Sequence, residues 1–281
     1  MIRKRKKIIK DILTHMVLII VVCFMMLPLM SMIGTAFTKH DAVASSTTMF
    51  PGLGEWSLEN FSGVLRKTSY GRNMIVSAVV SVSATILGAL VSTFSGYALS
   101  RFHFKWNRWI MAALMSSQMF PVVSRMISLY GLLGKAHLIN TRAGLIMAVV
   151  AAQIPFCVML MASFYDGVPH EIEEAATVDG SKRFQTLFGV VIPLVKPGIV
   201  AVGIYSFLMT WDDYLHAATL IQTDSLRTLS VGIALRYLGE LSYDWSLVNA
   251  ISVVGALPMI LLFVFFQKYM VKGLVAGAVK G

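Results

Sequence analysis

Charged side chains are scarce in this chain of 281 residues. Asp, Glu, Lys and Arg make up 14% of it, whereas apolar residues make up 57% and the mean hydropathy is +0.73. Soluble domains carry about 25% charged residues, so this composition excludes an ordinary soluble protein. The sequence instead has the composition of an integral membrane protein.

Cysteines and catalytic motifs are also scarce. Cys23 and Cys157 are the only cysteines and both fall in apolar runs, which excludes a disulfide framework or a cysteine-based metal site. The sequence has no GxxxxGK[ST] loop for nucleotide phosphates, no HExxH zinc motif and no GxSxG nucleophile turn. We therefore expect no catalytic residue, cofactor or metal in this chain, and any ATP that drives it must be bound by another chain.

Long apolar runs dominate what remains. A hydrocarbon core of about 30 Å is crossed by about 20 mainly apolar residues in a helix. The sequence therefore predicts an all-α polytopic membrane protein in which a basic segment, 1–11, precedes a single transmembrane domain, 12–281. Its six predicted transmembrane helices are 12–37, 74–100, 109–132, 143–164, 198–221 and 247–269.

The distribution of Lys and Arg predicts the orientation. With a cytoplasmic N-terminus, the inner segments hold fifteen of these residues and the outer loops hold eight. Because positively charged loops stay inside, both termini are predicted to be cytoplasmic. The RKRKK run at 3–7 is then interpreted as an anchor beside anionic lipid and not as a nucleic-acid site.

Small residues and prolines mark features inside the predicted spans. On the second span a small residue recurs every four positions, at Ala84, Gly88, Ser92, Gly96 and Ser100. Such a face lets helices approach closely in lipid, so we expect it to pack against neighbouring helices. Pro121 and Pro155 interrupt the third and fourth spans and are expected to kink them.

Charged residues within the bilayer are costly and therefore informative. Asp212 and Asp213 lie in the fifth span, and as helical neighbours they would point about 100° apart. With Trp211 and Tyr214 beside them, they suit a sugar, but a structural hydrogen-bond network or an interfacial girdle explains them equally well.

Two residues of the third span complete this set. Gln118 is a further candidate for the substrate pathway. Arg125 lies near the outer end of the span, and we expect its side chain to extend to the outer surface instead of binding substrate.

The loop 165–197 is long, charged and predicted to be cytoplasmic, and it contains the stretch EEAATVDGSKRF. Pro169 suits a first helical turn, and Gly180 suits a left-handed stop. Ser181 is expected to cap a second helix, which Pro193 would end. This helix–turn–helix is either a docking element for a cytoplasmic partner or an amphipathic hairpin that rests on the membrane or the bundle.

The sequence of this loop resembles that of a known protein family. Glu174-Ala175-Ala176, then Gly180, then Val190 to Pro193 resemble the EAA…G…I-x-L-P loop in the permease subunits of bacterial binding-protein-dependent ABC importers. The departures, Val190 for isoleucine and Ile192 for leucine, are conservative. YALSRFHFKWNR, WDDYL and the tail GLVAGAVKG extend the likeness to most of the chain, and it is similar to the maltose-type permeases of the carbohydrate-uptake branch.

The resemblance implies a type I importer permease fold in the bacterial inner membrane, working by alternating access. The partners it implies are a sister permease, two copies of a cytoplasmic ATPase that binds ATP and magnesium, and an external solute-binding protein. The first helix of the loop would sit in a cleft of the ATPase. The coupling residues it implies are Glu171, Glu174, Ala175, Ala176, Asp179 and Gly180.

The resemblance further implies that the tail Gly273–Gly281 reaches the ATPase and that the outer loop 222–244 contacts the binding protein. The substrate would be a sugar or oligosaccharide, with a polyol or a glycerol phosphate as alternatives. A proton-coupled secondary transporter using Asp212 and Asp213 is a separate alternative, but six spans without an evident inverted repeat argue against it.

Overall fold

Helices form the regular structure of this chain. The computed structural model describes residues 2–39, 50–52, 54–66, 68–102, 105–237 and 244–278, and within them the only exception is an isolated β-bridge between Thr38 and Trp56. In chain order the helices are α1 Ile2–Ala36, α2 Glu59–Arg66, α3 Thr68–Arg101, α4 Asn107–Met119, α5 Val122–Lys135, α6 Arg142–Asp166, α7 His170–Val178, α8 Arg183–Leu194, α9 Lys196–Trp211, α10 Leu215–Leu220, α11 Leu229–Tyr237 and α12 Trp245–Ala278.

Four of these helices, α1, α3, α6 and α12, are each long and apolar enough to cross a membrane. Two bent pairs meet the same test only when they are taken together. The pair α4 and α5 is bent by 106°, and the pair α8 and α9 by 70°. Among the described residues the chain thus has four to six candidate spans.

The third predicted span, 109–132, is not one straight helix. It divides into α4 and α5 at Phe120 and Pro121. Phe120 is extended, with φ −72° and ψ 136°, because the proline ring disfavours the α conformation of the residue before it. Pro155 acts differently, since it lies inside the continuous helix α6.

The fifth predicted span, 198–221, is also wrong as a single helix. Helix α9 ends at Trp211, and α10 begins only at Leu215. The carboxylate of Asp213 accepts a hydrogen bond from the backbone N–H of Ala217 at 3.1 Å, a local bond that favours a new helix start. The helical faces predicted for Asp212 and Asp213 are therefore absent.

One compact unit comprises Met1–Gly71 and Tyr237–Leu257. In it the side-chain amide of Asn60 donates to the carbonyl oxygens of Ala36 at 2.9 Å and Thr38 at 2.8 Å. The rings of Phe37 and Phe61 lie 4.7 Å apart. These contacts hold α2 against the end of α1, whose apolar segment is otherwise exposed along its length.

The other compact unit comprises Arg72–Arg236 and Pro258–Gly281, and α6 lies at the centre of its packing. One buried cluster joins α6 to α3, α5 and α10, and a second joins it to α3, α8 and α9. The small-residue face of α3 is buried here. A Cβ atom on Gly96 would lie 2.6 Å from the Cβ of Met161, so this face allows close helix contact, as expected.

We predict that Gly96→Ala destabilises the protein by about 1–3 kcal/mol, because the added methyl group overlaps Met161 and the backbone of Ala162. Gly131→Ala is the matched control, since a Cβ on this helical glycine meets nothing within 4 Å. Thermal unfolding of the purified protein in detergent measures both. Equal melting temperatures for the two variants would contradict the close contact.

Candidate functional site

Helix α7 contains the EAA segment, and its two ends are stabilised locally. It follows Pro169 and carries Glu171 and Glu173 in its first turn, where the helix dipole favours negative charge. At the other end Gly180 has φ +83°, which confirms the left-handed stop. The N–H of Ser181 donates to Ala176 at 2.9 Å and that of Gly180 to Thr177 at 3.0 Å, which is a Schellman motif.

The start of α8 differs from the prediction. Its N-cap residue is Lys182, whose N–H donates to the side chain of Gln185 at 2.8 Å. The Ser181 hydroxyl instead accepts a bond from Thr186 at 3.1 Å, so it does not cap the helix. Pro193 does not end the helical segment either. A π-helical turn precedes it, and the segment continues to Leu194.

The surface of α7 and the turn after it is open. None of the residues of α7 is buried. Val178 is 87% exposed and Phe184 is 75% exposed, although both are apolar. The predicted coupling residues lie on this surface: Glu171, Glu174, Ala175, Asp179 and Gly180 are exposed, and Ala176 is half-buried.

An ion pair fixes α7 to the end of α3. The Nε of Arg101 donates to Oε1 of Glu173 at 2.5 Å, and the Tyr97 hydroxyl donates to Oε2 at 3.0 Å. Arg101 also donates from Nη2 to the carbonyl oxygen of Val168 at 2.8 Å. Because only 3% of the Arg101 side chain and 18% of the Glu173 side chain are exposed, the pair is shielded from solvent.

Further contacts link the same end of α3 to both sides of the loop. The Ser100 hydroxyl donates to Asp166, the last residue of α6, at 2.6 Å. The guanidinium of Arg183, in α8, lies 4.0 Å from the ring centroid of Phe102, at the distance of a cation–π contact. These contacts attach both sides of the loop to the end of α3.

A groove of about 450 Å³, lined by polar residues, lies between α7 and α8. Glu174, Thr177 and Ser181 line it together with His170, Glu173, Arg183 and Thr186. Glu174 thus has a carboxylate at an open, polar surface, where a cationic side chain of a partner can bind it.

The sequence interpretation missed the Arg101–Glu173 pair. Arg101 counted only as a positive charge at the inner end of a span, and Glu173 only as a charge in a first helical turn. The two residues are 72 positions apart, and no periodic pattern connects them. The available signal was their opposite charge, Arg101 at the predicted inner end of an apolar helix and Glu173 in a loop predicted to be cytoplasmic.

The acidic pair after α9 has two different environments. Asp213 has partners for both its side chain and its backbone. Its Oδ1 contacts Nδ1 of His216 at 2.6 Å, and its backbone carbonyl oxygen accepts a hydrogen bond from the Ser230 hydroxyl at 2.8 Å. Asp212 is exposed at the end of α9. Asp213 therefore organises the break between α9 and α10, whereas Asp212 is available to solvent.

The other candidates for the pathway differ in exposure and in their contacts. Trp211 is buried and stacks on Phe207 at 5.6 Å, while Tyr214 is 41% exposed. Gln118 lies on α4 and donates to the carbonyl oxygen of Ala152 on α6 at 3.2 Å. Its amide holds two helices together.

We predict that Glu173→Gln loosens α7, because it leaves the buried guanidinium of Arg101 without its counter-charge, at a cost of about 3 kcal/mol. Hydrogen exchange of the amides in 170–180 is expected to accelerate. Glu171→Gln, on the same helical turn but exposed, serves as the control and is expected to exchange like the parent. Equal protection in all three proteins would show that the pair does not hold α7.

Comparisons with known proteins identify the family of this chain. Residues 84–274, more than half of the chain, match the family described as binding-protein-dependent transport system inner membrane component. The chain is 36% identical to the sulfoquinovosyl glycerol transport system permease protein SmoH of Agrobacterium fabrum, over 87% of this chain and 85% of that one.

A second relative is the melibiose/raffinose/stachyose import permease protein MelC of Bacillus subtilis, 32% identical over 93% of this chain and 94% of that one. The fold matches a chain of a crystallised bacterial ABC transporter involved in alginate import, with a TM-score of 0.82 and 20% identity over 94% of this chain and 98% of that one. The chain thus belongs to the inner membrane components of binding-protein-dependent transport systems.

Proposed function

We propose that this chain is the permease subunit of an ATP-driven importer that carries a sugar or oligosaccharide across the bacterial inner membrane. The family match over residues 84–274 carries this proposal. The names of the relatives support the substrate class, since one is a sulfoquinovosyl glycerol transport permease and another is a melibiose, raffinose and stachyose import permease. A panel of saccharides, each tested for stimulation of ATP hydrolysis by the complete complex, identifies the solute.

The topology we propose has six spans, with each bent pair counted as one. It places both termini and the loop 165–197 in the cytoplasm. The cytoplasmic loops then carry the larger share of Lys and Arg, as the positive-inside rule requires. The tail from Gly273 lies on the same side, where its described part, to Ala278, continues helix α12.

The coupling surface we propose consists of α7 and the turn at Gly180. An exposed Val178 and Phe184 on a cytoplasmic loop need a partner to cover them, and a cleft in the partner ATPase provides it. Ala175 and Ala176 allow close approach, and Glu174 offers a carboxylate for charged hydrogen bonds. ATP and magnesium are bound by the ATPase and not by this chain.

The mechanism then uses the Arg101–Glu173 pair as the mechanical link. Closure of the ATPase dimer on ATP displaces α7, and the pair transmits the displacement to α3. Because α3 packs on α6 through its small-residue face, the spans of this unit follow and open the pathway outward. Hydrolysis of ATP lets the ATPase separate, and the spans return.

The remaining partners we propose are a sister permease, which completes the pathway, and an extracytoplasmic solute-binding protein. The loop 222–244 would contact the binding protein. Its described part contains a short helical turn at Asp224–Leu226 and helix α11, while residues 238–243 lie outside the described part of the chain.

We predict that Glu174→Lys lowers solute-stimulated ATP hydrolysis by the reconstituted complex about tenfold, because it reverses the charge at the docking surface. Glu59→Lys, a reversal of an exposed glutamate on α2, is the control and is expected to leave stimulation unchanged. Normal stimulation of Glu174→Lys in a fully assembled complex would argue decisively against the proposed docking.

We also predict that Gly180→Ala reduces this stimulation. An alanine at φ +83° costs about 1 kcal/mol, although a Cβ there meets nothing within 4 Å, so the turn relaxes and α7 is presented at a different angle. Gly189→Ala is the matched control, since that position is equally open but has no positive φ. If both variants retain full stimulation, the left-handed turn is not part of the coupling.

A further inference from the structure

A cavity of about 310 Å³ lies where α4, α5, α6 and α10 meet. It belongs to the unit centred on α6 and is separate from the coupling surface. Its polar lining consists of Arg125, Ser117, Ser128 and His216. Apolar side chains of α5 and α6 form the rest of its wall: Val122, Met126, Leu129, Leu132, Ala148, Ala151 and Ala152.

Arg125, which the sequence predicted to extend to the outer surface, is half-buried and lines this cavity. Its Nε is buried and makes no hydrogen bond within the described part of the chain. A buried guanidinium donor without an acceptor is unfavourable, and arginine cannot lose its proton to avoid this cost. This nitrogen has no acceptor within the described part of the chain, so a ligand or a partner can supply one.

The charges around the cavity indicate that a ligand in it is negatively charged. No Asp or Glu lines the cavity, and none of the described carboxylates forms an ion pair with Arg125. The nearest acidic group in sequence to the lining is Asp213, and it is already bonded to His216 and to the N–H of Ala217. The cavity thus carries an uncompensated positive charge.

The size and the remaining lining restrict the ligand further. About 310 Å³ is at the lower end of the range for small-molecule sites, enough for one sugar-sized unit. Ser117 and Ser128 supply hydroxyls that pair with sugar hydroxyls, and the apolar wall suits the face of a pyranose ring.

We propose that this cavity binds the acidic group, a carboxylate or a sulfonate, of an anionic saccharide, with Arg125 as its charged partner. The inference rests on the proposed function, and it names the substrate class. A guanidinium offers two parallel N–H donors to such a group, which a lysine cannot reproduce. Arg125 then determines specificity for acidic over neutral saccharides.

The test uses the complete transporter in liposomes with its binding protein, and it measures ATP-driven uptake of a uronic-acid disaccharide and of the neutral disaccharide with the same linkage. The parent is expected to take up the acidic compound. Arg125→Gln is expected to lower the ratio of acidic to neutral uptake about tenfold, and Arg125→Lys to retain part of it. Lys135→Gln removes an exposed positive charge from the same helix and is expected to leave the ratio unchanged.

Three results would overturn the inference while the importer function stands. The first is a parent that takes up only the neutral disaccharide. The second is an equal loss of both solutes in Arg125→Gln when the complex assembles normally, which would assign Arg125 to a contact with another subunit. The third is an effect of Arg125→Gln that appears only in liposomes containing phosphatidylglycerol and not in phosphatidylcholine, which would assign it to a lipid phosphate. Failure of every saccharide to stimulate ATP hydrolysis would count against the proposed function itself.

Discussion

The ion pair between Arg101 and Glu173 determines where the exposed loop sits. Helix α7 buries none of its own residues, so hydrophobic packing alone does not hold it in place. Instead, one of its carboxylates enters a shielded contact with a guanidinium that is 97% covered, and Tyr97 satisfies the second carboxylate oxygen. An ion pair of this kind adds little net stability, but breaking it leaves a buried charge, so it enforces a single geometry. A rigid geometry is what a helix needs if it is to transmit displacement to the spans.

Exposed apolar surface in this chain occurs in two different settings. Along α1 it lies on a helix with the length and hydropathy of a span, and lipid is the natural solvent for such a surface. Val178 and Phe184 are also exposed, but Val178 ends a helix of nine residues and Phe184 follows its left-handed turn, and the charged neighbours of both do not suit a hydrocarbon environment. The same exposure therefore suits lipid in one place and, in the coupling that we propose, a protein partner in the other.

Sequence reasoning recovered what depends on local rules. Gly180 was predicted to be left-handed because few other residues adopt that conformation, and the small-residue face of α3 was predicted to pack because small side chains permit close contact. It failed where the outcome depends on tertiary bonds. The break at Asp212 was missed because the apolar residues on both sides of Asp212 and Asp213 were taken as one span, although the two aspartates interrupt the apolar pattern there. The Arg101–Glu173 pair was missed for the same reason, because nothing local connects its members.

The negative charge of Asp213 and the positive charge of Arg125, both in predicted spans, lie in different environments. Before the structure, Asp213 was a candidate for substrate and Arg125 was not. One carboxylate oxygen of Asp213 contacts His216, and the other accepts a hydrogen bond from the N–H of Ala217 in α10. These two contacts account for an acidic residue at this position. Arg125 has a buried donor with no acceptor, beside a cavity without any acidic residue in its lining. The Asp213 carboxylate is already paired within the chain, whereas the Nε of Arg125 has no acceptor in the described part of it, and this difference is why we propose Arg125 and not Asp213 for substrate recognition.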